Sequence, residues 1–156
     1  MKTAQQWFDE YAVSHQNTTN QKIHFICVPI LFFNVTGLLM SIPTKFLEKT
    51  LELFNPFIEN WATIILGAVL LLFYLRLGVW FFIEMFLFST ISIIGNYFVG
   101  QQINLLSFSS IIFILAWGGQ FYGHKVEGKK PSFFKDLQFL LIDPLWVLQK
   151  IRKQES

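Results

Sequence analysis

The chain has 156 residues, of which 53% are hydrophobic and only 14% are charged, and its formal net charge is +2. A soluble domain carries about 25% charged residues. The composition therefore excludes a disordered chain and argues against a nucleic-acid-binding protein, which would need a basic stripe. It favours one small domain embedded largely in a membrane.

The first predicted element is a short helix within the polar segment 1–22, with Trp7 and Tyr11 four residues apart on one face. Asp9 and Glu10 lie where a cleavable signal peptide would have its apolar core. We therefore interpret this segment as part of the folded protein and not as a signal peptide.

Four apolar stretches follow, and each approaches the length of about 20 residues that crosses a bilayer. Asn55 and Pro56 predict the start of the second span as a cap followed by proline in the first turn. Arg76 alone separates the second span from the third and predicts a tight turn. We predict an all-α fold, an integral membrane four-helix transmembrane bundle with short interfacial helices at both termini, forming a single membrane domain. The predicted spans are 23–42, 56–75, 77–95 and 105–123.

The distribution of lysine and arginine predicts the orientation in the membrane. Four spans place both termini and the Arg76 turn on one side, with ten basic residues, whereas the other side has only Lys45 and Lys49. Both termini are therefore predicted to be cytoplasmic, and the short loops favour a bacterial inner membrane over the endoplasmic reticulum. The tail 124–156 is predicted to lie along the interface, broken at Asp143-Pro144. The ten residues are Lys2, Lys22, Arg76, Lys125, Lys129, Lys130, Lys135, Lys150, Arg152 and Lys153.

The three histidines are predicted to converge at one membrane face. His15 precedes the first span, His24 lies in its first turn, and His124 follows the fourth span. Along one continuous helix, the nine-residue separation of His15 and His24 would place them on opposite faces. The Asn/Thr-rich interval between them instead predicts a turn that folds His15 back towards His24.

A polar face near the end of the fourth span adds to this cluster. Gln120, His124 and Glu127 are spaced by four and three residues, which places them on one side of a helix. Three imidazoles and a carboxylate predict a mixed nitrogen and oxygen site for Fe2+ with open positions. A set of interfacial polar residues without a metal remains the alternative. The predicted ligands and catalytic residues are His15, His24, His124 and Glu127. Asn17 and Asn20 are predicted to be helix caps or, together with Gln120, partners that orient the imidazole N–H groups.

Glu84 lies about two turns inside the third predicted span, where an ionisable residue is costly and is a functional candidate. Arg76, eight residues earlier, lies on roughly the same helical face. A structural pair of these two residues is the alternative to a direct role for Glu84.

At these motifs the chain resembles the yeast-type 2-hydroxy fatty acid dioxygenase family of small multi-span membrane proteins. One matching segment is His-x-Asn-x-x-Asn-x-x-x-His, which runs from His15 to His24. The other is Trp-x-x-Gln-Phe-x-Gly-His-x-x-Glu-x-x-x-Pro, from Trp117 to Pro131. Cys27 departs from the family pattern, which often has glycine there.

The resemblance implies an Fe2+-dependent membrane enzyme that uses O2 to shorten 2-hydroxy fatty acids by one carbon. The acyl tail of the substrate would lie among membrane lipid, and Lys22, Lys125 and Lys129 are candidates to attract its carboxylate. Two alternatives stay open. One is a metal-dependent lipid hydrolase that uses the same ligands with Zn2+, and the other is a non-enzymatic carrier or assembly protein in which Glu84 matters more than any histidine.

Overall fold

The computed structural model describes residues 2–51, 55–128, 139 and 141–154, with the backbone alone for 151–154. These residues form helices and connecting turns, with no β-strand among them. The helices are α1 (Ala4–Ala12), α2 (Thr18–Met40), α3 (Lys45–Leu51), α4 (Trp61–Val69), a π-helical turn (Leu70–Tyr74), α5 (Leu75–Leu77), α6 (Val79–Gln102), α7 (Leu105–Glu127) and α8 (Asp143–Gln154).

The predicted N-terminal helix is confirmed as α1, and capping residues define the starts of α1 and α2. The Thr3 side chain accepts a hydrogen bond from the Gln6 backbone N–H at 3.3 Å, and the Gln6 side chain accepts one from Thr3 N–H at 2.9 Å. At the next helix, Asn17 Oδ1 accepts from Thr19 N–H at 2.9 Å. This cap lets α2 begin five residues before the predicted span.

The second predicted span begins later than expected, and the predicted cap at Asn55-Pro56 is wrong. Asn60 caps α4 instead, because its side chain accepts from Thr63 N–H at 2.9 Å. The apolar helical stretch Trp61–Leu77 therefore has only 17 residues, or about 26 Å at 1.5 Å per residue, slightly less than the hydrocarbon core of a bilayer. In the described part of the chain, three helices are long and apolar enough to cross a membrane, namely α2, α6 and α7.

Gly78 provides the predicted break beside Arg76. Its φ of +146° is a backbone conformation that glycine adopts at little cost, and it separates α5 from α6. The third predicted span, 77–95, corresponds to α6, which continues to Gln102. α7 begins where predicted, capped by Asn104, and continues four residues past the predicted end.

Asp143-Pro144 begins a helix, whereas the sequence predicted that the pair interrupts one. Pro144 is in the first turn of α8, where its missing N–H has no helical partner to lose. Residues 129–138 and 140, which precede α8, lie outside the described residues. The prediction that this segment lies along the membrane interface therefore concerns residues that the structure does not describe.

The chain divides into two compact units, Met1–Phe32 with Ile114–Ser156, and Phe33–Phe113. The first unit contains α1, α8, the start of α2 and the end of α7. Its buried aromatic core centres on Tyr11, whose ring centroid lies 5.0 Å from that of Trp146 and 5.3 Å from that of Phe139. We name it the histidine unit, because His15, His24 and His124 all lie in it.

The second unit contains α3 to α6 and the remaining parts of α2 and α7, and we name it the scaffold unit. Its buried polar residues include amides and hydroxyls from α2, α6 and α7, such as Asn34, Asn96 and Ser109. A Cβ atom added at Gly37 would lie only 2.2 Å from Ser109 Oγ and 2.4 Å from Asn96 Oδ1. Glycine therefore permits the close approach of these groups, a packing mode common among membrane helices.

Candidate metal centre

The turn between α1 and α2 brings His15 against His24. After α1 the chain reverses through hydrogen bonds from Ser14 N–H to Tyr11 O (3.2 Å) and from His15 N–H to Ala12 O (3.1 Å). The ring centroids of His15 and His24 are 4.4 Å apart. The predicted folding back of His15 is therefore confirmed.

His124, near the end of α7, completes a buried three-histidine cluster. Its ring centroid lies 5.1 Å from both other rings, and each histidine offers a nitrogen within 4.8 Å of those of the other two. Three nitrogens that bind one ion at about 2.1 Å in a plane are about 3.6 Å apart. Side-chain movements of up to about 0.7 Å would therefore bring all three nitrogens to a common ion.

Backbone carbonyls determine which nitrogen two of the histidines present. His15 Nδ1 lies 2.8 Å from Tyr11 O, and His24 Nδ1 lies 3.0 Å from Asn20 O. A carbonyl oxygen only accepts, so each Nδ1 must carry the hydrogen, which leaves a lone pair on Nε2. His15 Nε2 is buried and has no hydrogen-bond partner among the described residues. The donor set therefore fits a metal ion.

The environment also keeps His15 in the form that binds metals. Burial, followed by the neighbouring His24, lowers the pKa of His15 from 6.5 to about 3. The imidazole is consequently neutral at physiological pH, and a metal ion does not have to displace a proton from it.

Two aromatic residues of this site were missed as site residues by the sequence analysis. Tyr11 stacks on His15 with centroids 3.8 Å apart and ring planes at 16°, and the Trp146 centroid lies 5.7 Å from that of His15. The spacing of Trp7 and Tyr11 indicated only a shared helical face. No local pattern links Trp146 with a histidine 131 positions earlier.

Glu127 lies beside the cluster, but its carboxylate contacts the turn before α2. Its oxygens accept from Gln16 N–H at 2.9 Å, from Asn17 N–H at 2.8 Å and from Asn20 Nδ2 at 3.1 Å. Among the described residues, the group whose geometry suits a metal contains histidines alone. Glu127 as a ligand stays a prediction that these contacts do not favour.

The predicted supporting residues lie around the cluster in different roles. Asn17 caps α2, whereas the backbone oxygen of Asn20 is the acceptor for His24 Nδ1. Gln120 is buried one turn before His124, and its Nε2 has no partner among the described residues. A Cβ atom at Gly123 would lie 2.3 Å from Asn20 Oδ1, so glycine at this position lets α7 approach the site closely.

The predicted carboxylate-binding lysines do not converge on the site. Lys22 and Lys125 are exposed, and Lys129 lies outside the described residues. Lys150 of α8, which was not predicted, is connected to the cluster instead. Its Nζ lies 3.4 Å from Gln21 Oε1 and 5.3 Å from the centroid of Trp146, and Gln21 Nε2 donates to His15 O at 2.7 Å.

A comparison with known families matches almost the whole chain. A family model described as 2-hydroxy-palmitic acid dioxygenase Mpo1-like covers residues 1–155. No curated protein and no solved structure matches the chain.

Proposed function

The chain belongs to the 2-hydroxy-palmitic acid dioxygenase Mpo1-like family, and we propose that it is a membrane dioxygenase which shortens 2-hydroxy fatty acids at the three-histidine cluster. The buried group of His15, His24 and His124 is the observation that carries this proposal. The three histidines would hold Fe2+, and the matching family suggests the substrate class.

The proposed reaction balances with O2 as the sole oxidant. A 2-hydroxy acid and O2 give the acid that is one carbon shorter, CO2 and water. The C1–C2 bond breaks, the former C2 becomes the new carboxyl carbon, and O2 accepts four electrons. Bound Fe2+ would supply the O2 chemistry that amino-acid side chains lack.

The protein's own part is to bind and orient the reactants. Three neutral imidazoles leave the charge of a divalent ion uncompensated, which favours an anionic substrate. The carbonyls of Tyr11 and Asn20 orient two of the rings. Of the lysines in the described residues, Lys150 is linked to the cluster through Gln21, and we propose it as a partner of the substrate carboxylate.

The packing in the histidine unit also supports an even number of membrane crossings. Asn20, near the start of α2, lies against Gly123, near the end of α7, while Cys27 further along α2 lies against Gly119 earlier in α7. The two helices are therefore antiparallel, so the first crossing begins on the side where the last one ends. Because α2, α6 and α7 are long and apolar enough for three crossings, we infer that the shorter stretch Trp61–Leu77 is the fourth.

An even number of crossings places both termini on the same side of the membrane. The excess of lysine and arginine at the termini predicts that this side is cytoplasmic, and a bacterial inner membrane stays our preference. Cysteine accessibility on both sides of sealed vesicles, with single cysteines at Thr3, Thr44 and Gln149 after Cys27→Ala, tests this topology. Labelling of Thr3 and Gln149 from opposite sides, or of Thr3 and Thr44 from the same side, would contradict it.

The proposed function is tested by metal analysis and O2 consumption in detergent-purified protein. We expect about one Fe2+ per chain and O2 uptake with 2-hydroxypalmitate, with both lost in His124→Ala. Tyr122→Ala changes an exposed residue of the same helix and should retain both.

Two results would contradict the dioxygenase proposal. Full activity of metal-free protein is one of them. The other is ester hydrolysis without O2 by the Zn2+-loaded protein, since three histidines with an open position also suit a catalytic zinc site. A loss of function in Glu84→Gln but not in His124→Ala would instead indicate the carrier or assembly role.

A further inference from the structure

Glu127 occupies a position that is unfavourable within its own helix. It is the last residue of α7, where the negative end of the helix dipole disfavours a carboxylate. A favourable interaction outside α7 would offset this repulsion.

The start of α2 supplies that interaction. Both carboxylate oxygens accept hydrogen bonds from backbone N–H groups just before α2, from Gln16 and Asn17, and the side chain of Asn20 adds a third. The two backbone donors belong to the turn that precedes α2, and the amide donor belongs to the first turn of that helix. One carboxylate at the end of α7 thus holds a turn that lies more than 100 positions earlier in the chain.

The segment that Glu127 holds is the one that carries His15. Gln16 follows His15 directly, and Asn20 Nδ2 also donates to Ser14 O at 3.2 Å. The backbone oxygen of Asn20 accepts from His24 Nδ1. Movement of this turn would therefore displace His15 and disturb the orientation of His24, while His124 would stay on α7.

We propose that Glu127 is a positioning residue, a clamp that fastens the turn of His15 to the end of α7, and that it does not bind the metal ion itself. This inference rests on the proposed function in taking the three histidines as the metal ligands. In this arrangement the Glu127 carboxylate accepts three hydrogen bonds from the turn and the start of α2. The protein ligands of the metal ion are then histidines alone.

Titration of the detergent-purified full chain with Co2+ tests the clamp, because the visible spectrum of this ion reports its ligands while the titration reports affinity. In Glu127→Ala we expect Co2+ to bind about 10- to 100-fold more weakly, as for other residues that orient metal ligands. At saturating Co2+ the spectrum should match that of the unchanged protein. Glu127→Gln, which retains one acceptor oxygen, should give an intermediate affinity.

A double-mutant cycle separates the clamp from a general loss of stability. In a His15→Ala background, Glu127→Ala should weaken Co2+ binding by about threefold at most, because the residue that the clamp positions is already absent. Glu10→Ala is the matched control, since this carboxylate pairs with Lys2 on the exposed face of α1, and it should leave Co2+ affinity unchanged.

Three results would overturn the clamp. These are an altered Co2+ spectrum at saturation in Glu127→Ala, unchanged affinity in that variant, or an equal loss of affinity with and without His15. Failure of the proposed function is distinguishable, because protein that shows the expected Co2+ affinities but no O2 uptake would retain the clamp and lose the dioxygenase assignment.

Discussion

The histidine unit and the scaffold unit both bury polar groups. The two units differ in how the polar atoms of these groups are arranged and bonded. In the scaffold unit, Asn96 Nδ2 donates to two backbone carbonyls, Phe33 O and Ser92 O, and Gly37 packs closely against the side chain. In the histidine unit, backbone carbonyls accept from the Nδ1 atoms of His15 and His24, which leaves a lone pair on each Nε2. Asn96 Oδ1 is also buried without a hydrogen-bond partner among the described residues. What distinguishes the histidine unit is that nitrogens from three side chains lie within 4.8 Å of one another.

The largest difference between the units should appear when one buried polar group is removed from each. We expect His24→Ala to weaken Fe2+ binding more than about 100-fold, beyond the usual effect of losing a supporting residue. Ser109→Ala should leave Fe2+ affinity within about twofold, since its hydroxyl belongs to the packing of the scaffold unit. Equilibrium dialysis with Fe2+ measures both, and equal losses would remove the distinction between the units.

A smaller effect is expected when a methyl group is added at one close helix contact in each unit. Gly123→Ala places a Cβ against Asn20 and should weaken Fe2+ binding about tenfold, because Asn20 orients His24. Gly37→Ala overpacks the scaffold unit and should destabilise it by about 1–3 kcal/mol while Fe2+ affinity is retained. Thermal unfolding combined with metal titration separates these outcomes, and retained affinity in Gly123→Ala would contradict the first.

Lys150→Met tests whether the histidine unit also recognises the charge of the substrate. We expect the KM for 2-hydroxypalmitate to rise about tenfold, the equivalent of one lost hydrogen bond to a charged group, with kcat little changed. Lys45→Met, an exposed change in α3 of the scaffold unit, is the control. Inhibition by a neutral 1,2-diol of the same chain length should be equal in both proteins. If inhibition by the diol falls as well, Lys150 has a structural role and not one in charge recognition.

The smallest expected effect is a pH dependence of stability that arises in the histidine unit. Unfolded His15 binds a proton near pH 6.5, whereas folded His15 does so only near its pKa of about 3. Between these values the unfolded state holds more protons, so the free energy of unfolding of metal-free protein should fall as pH decreases from 7.5 to 5.5. Urea unfolding at several pH values measures this, and His15→Gln should reduce the slope. An unchanged slope would show that His15 is not its source.

Much of the fold follows from local patterns in the sequence. Apolar runs of about 20 residues predicted α2, α6 and α7, because the length of such a run is a local property that the bilayer thickness selects. The start of α4 was misplaced because Asn55 and Asn60 both accept a hydrogen bond from a following backbone N–H. Only the structure shows that Asn55 begins a turn and Asn60 begins the helix. The predicted length of the second span depended on which asparagine was taken as the cap.

The candidate site was predicted only in part, because local motifs place some of its residues and the packing of distant helices places the others. The residues between His15 and His24 predicted a turn, and the motifs at both ends of the chain predicted a shared site, which agrees with the family match. Tyr11 and Trp146 were missed as neighbours of His15 because ring stacking depends on how α1 and α8 pack. The same holds for Lys150, whose link to the site passes through Gln21 of α2.

By itself, the sequence determined that this chain is a helical, apolar protein with three histidines near the ends of its first and last long helices. Composition and hydrophobic length carry that information, since they act through the solvent that each segment prefers. Only the tertiary structure decided which nitrogen atoms His15 and His24 present, and that the carboxylate of Glu127 meets backbone N–H groups 110 and 111 positions away. Such assignments depend on hydrogen-bond geometry between distant segments, which no local spacing of residues specifies.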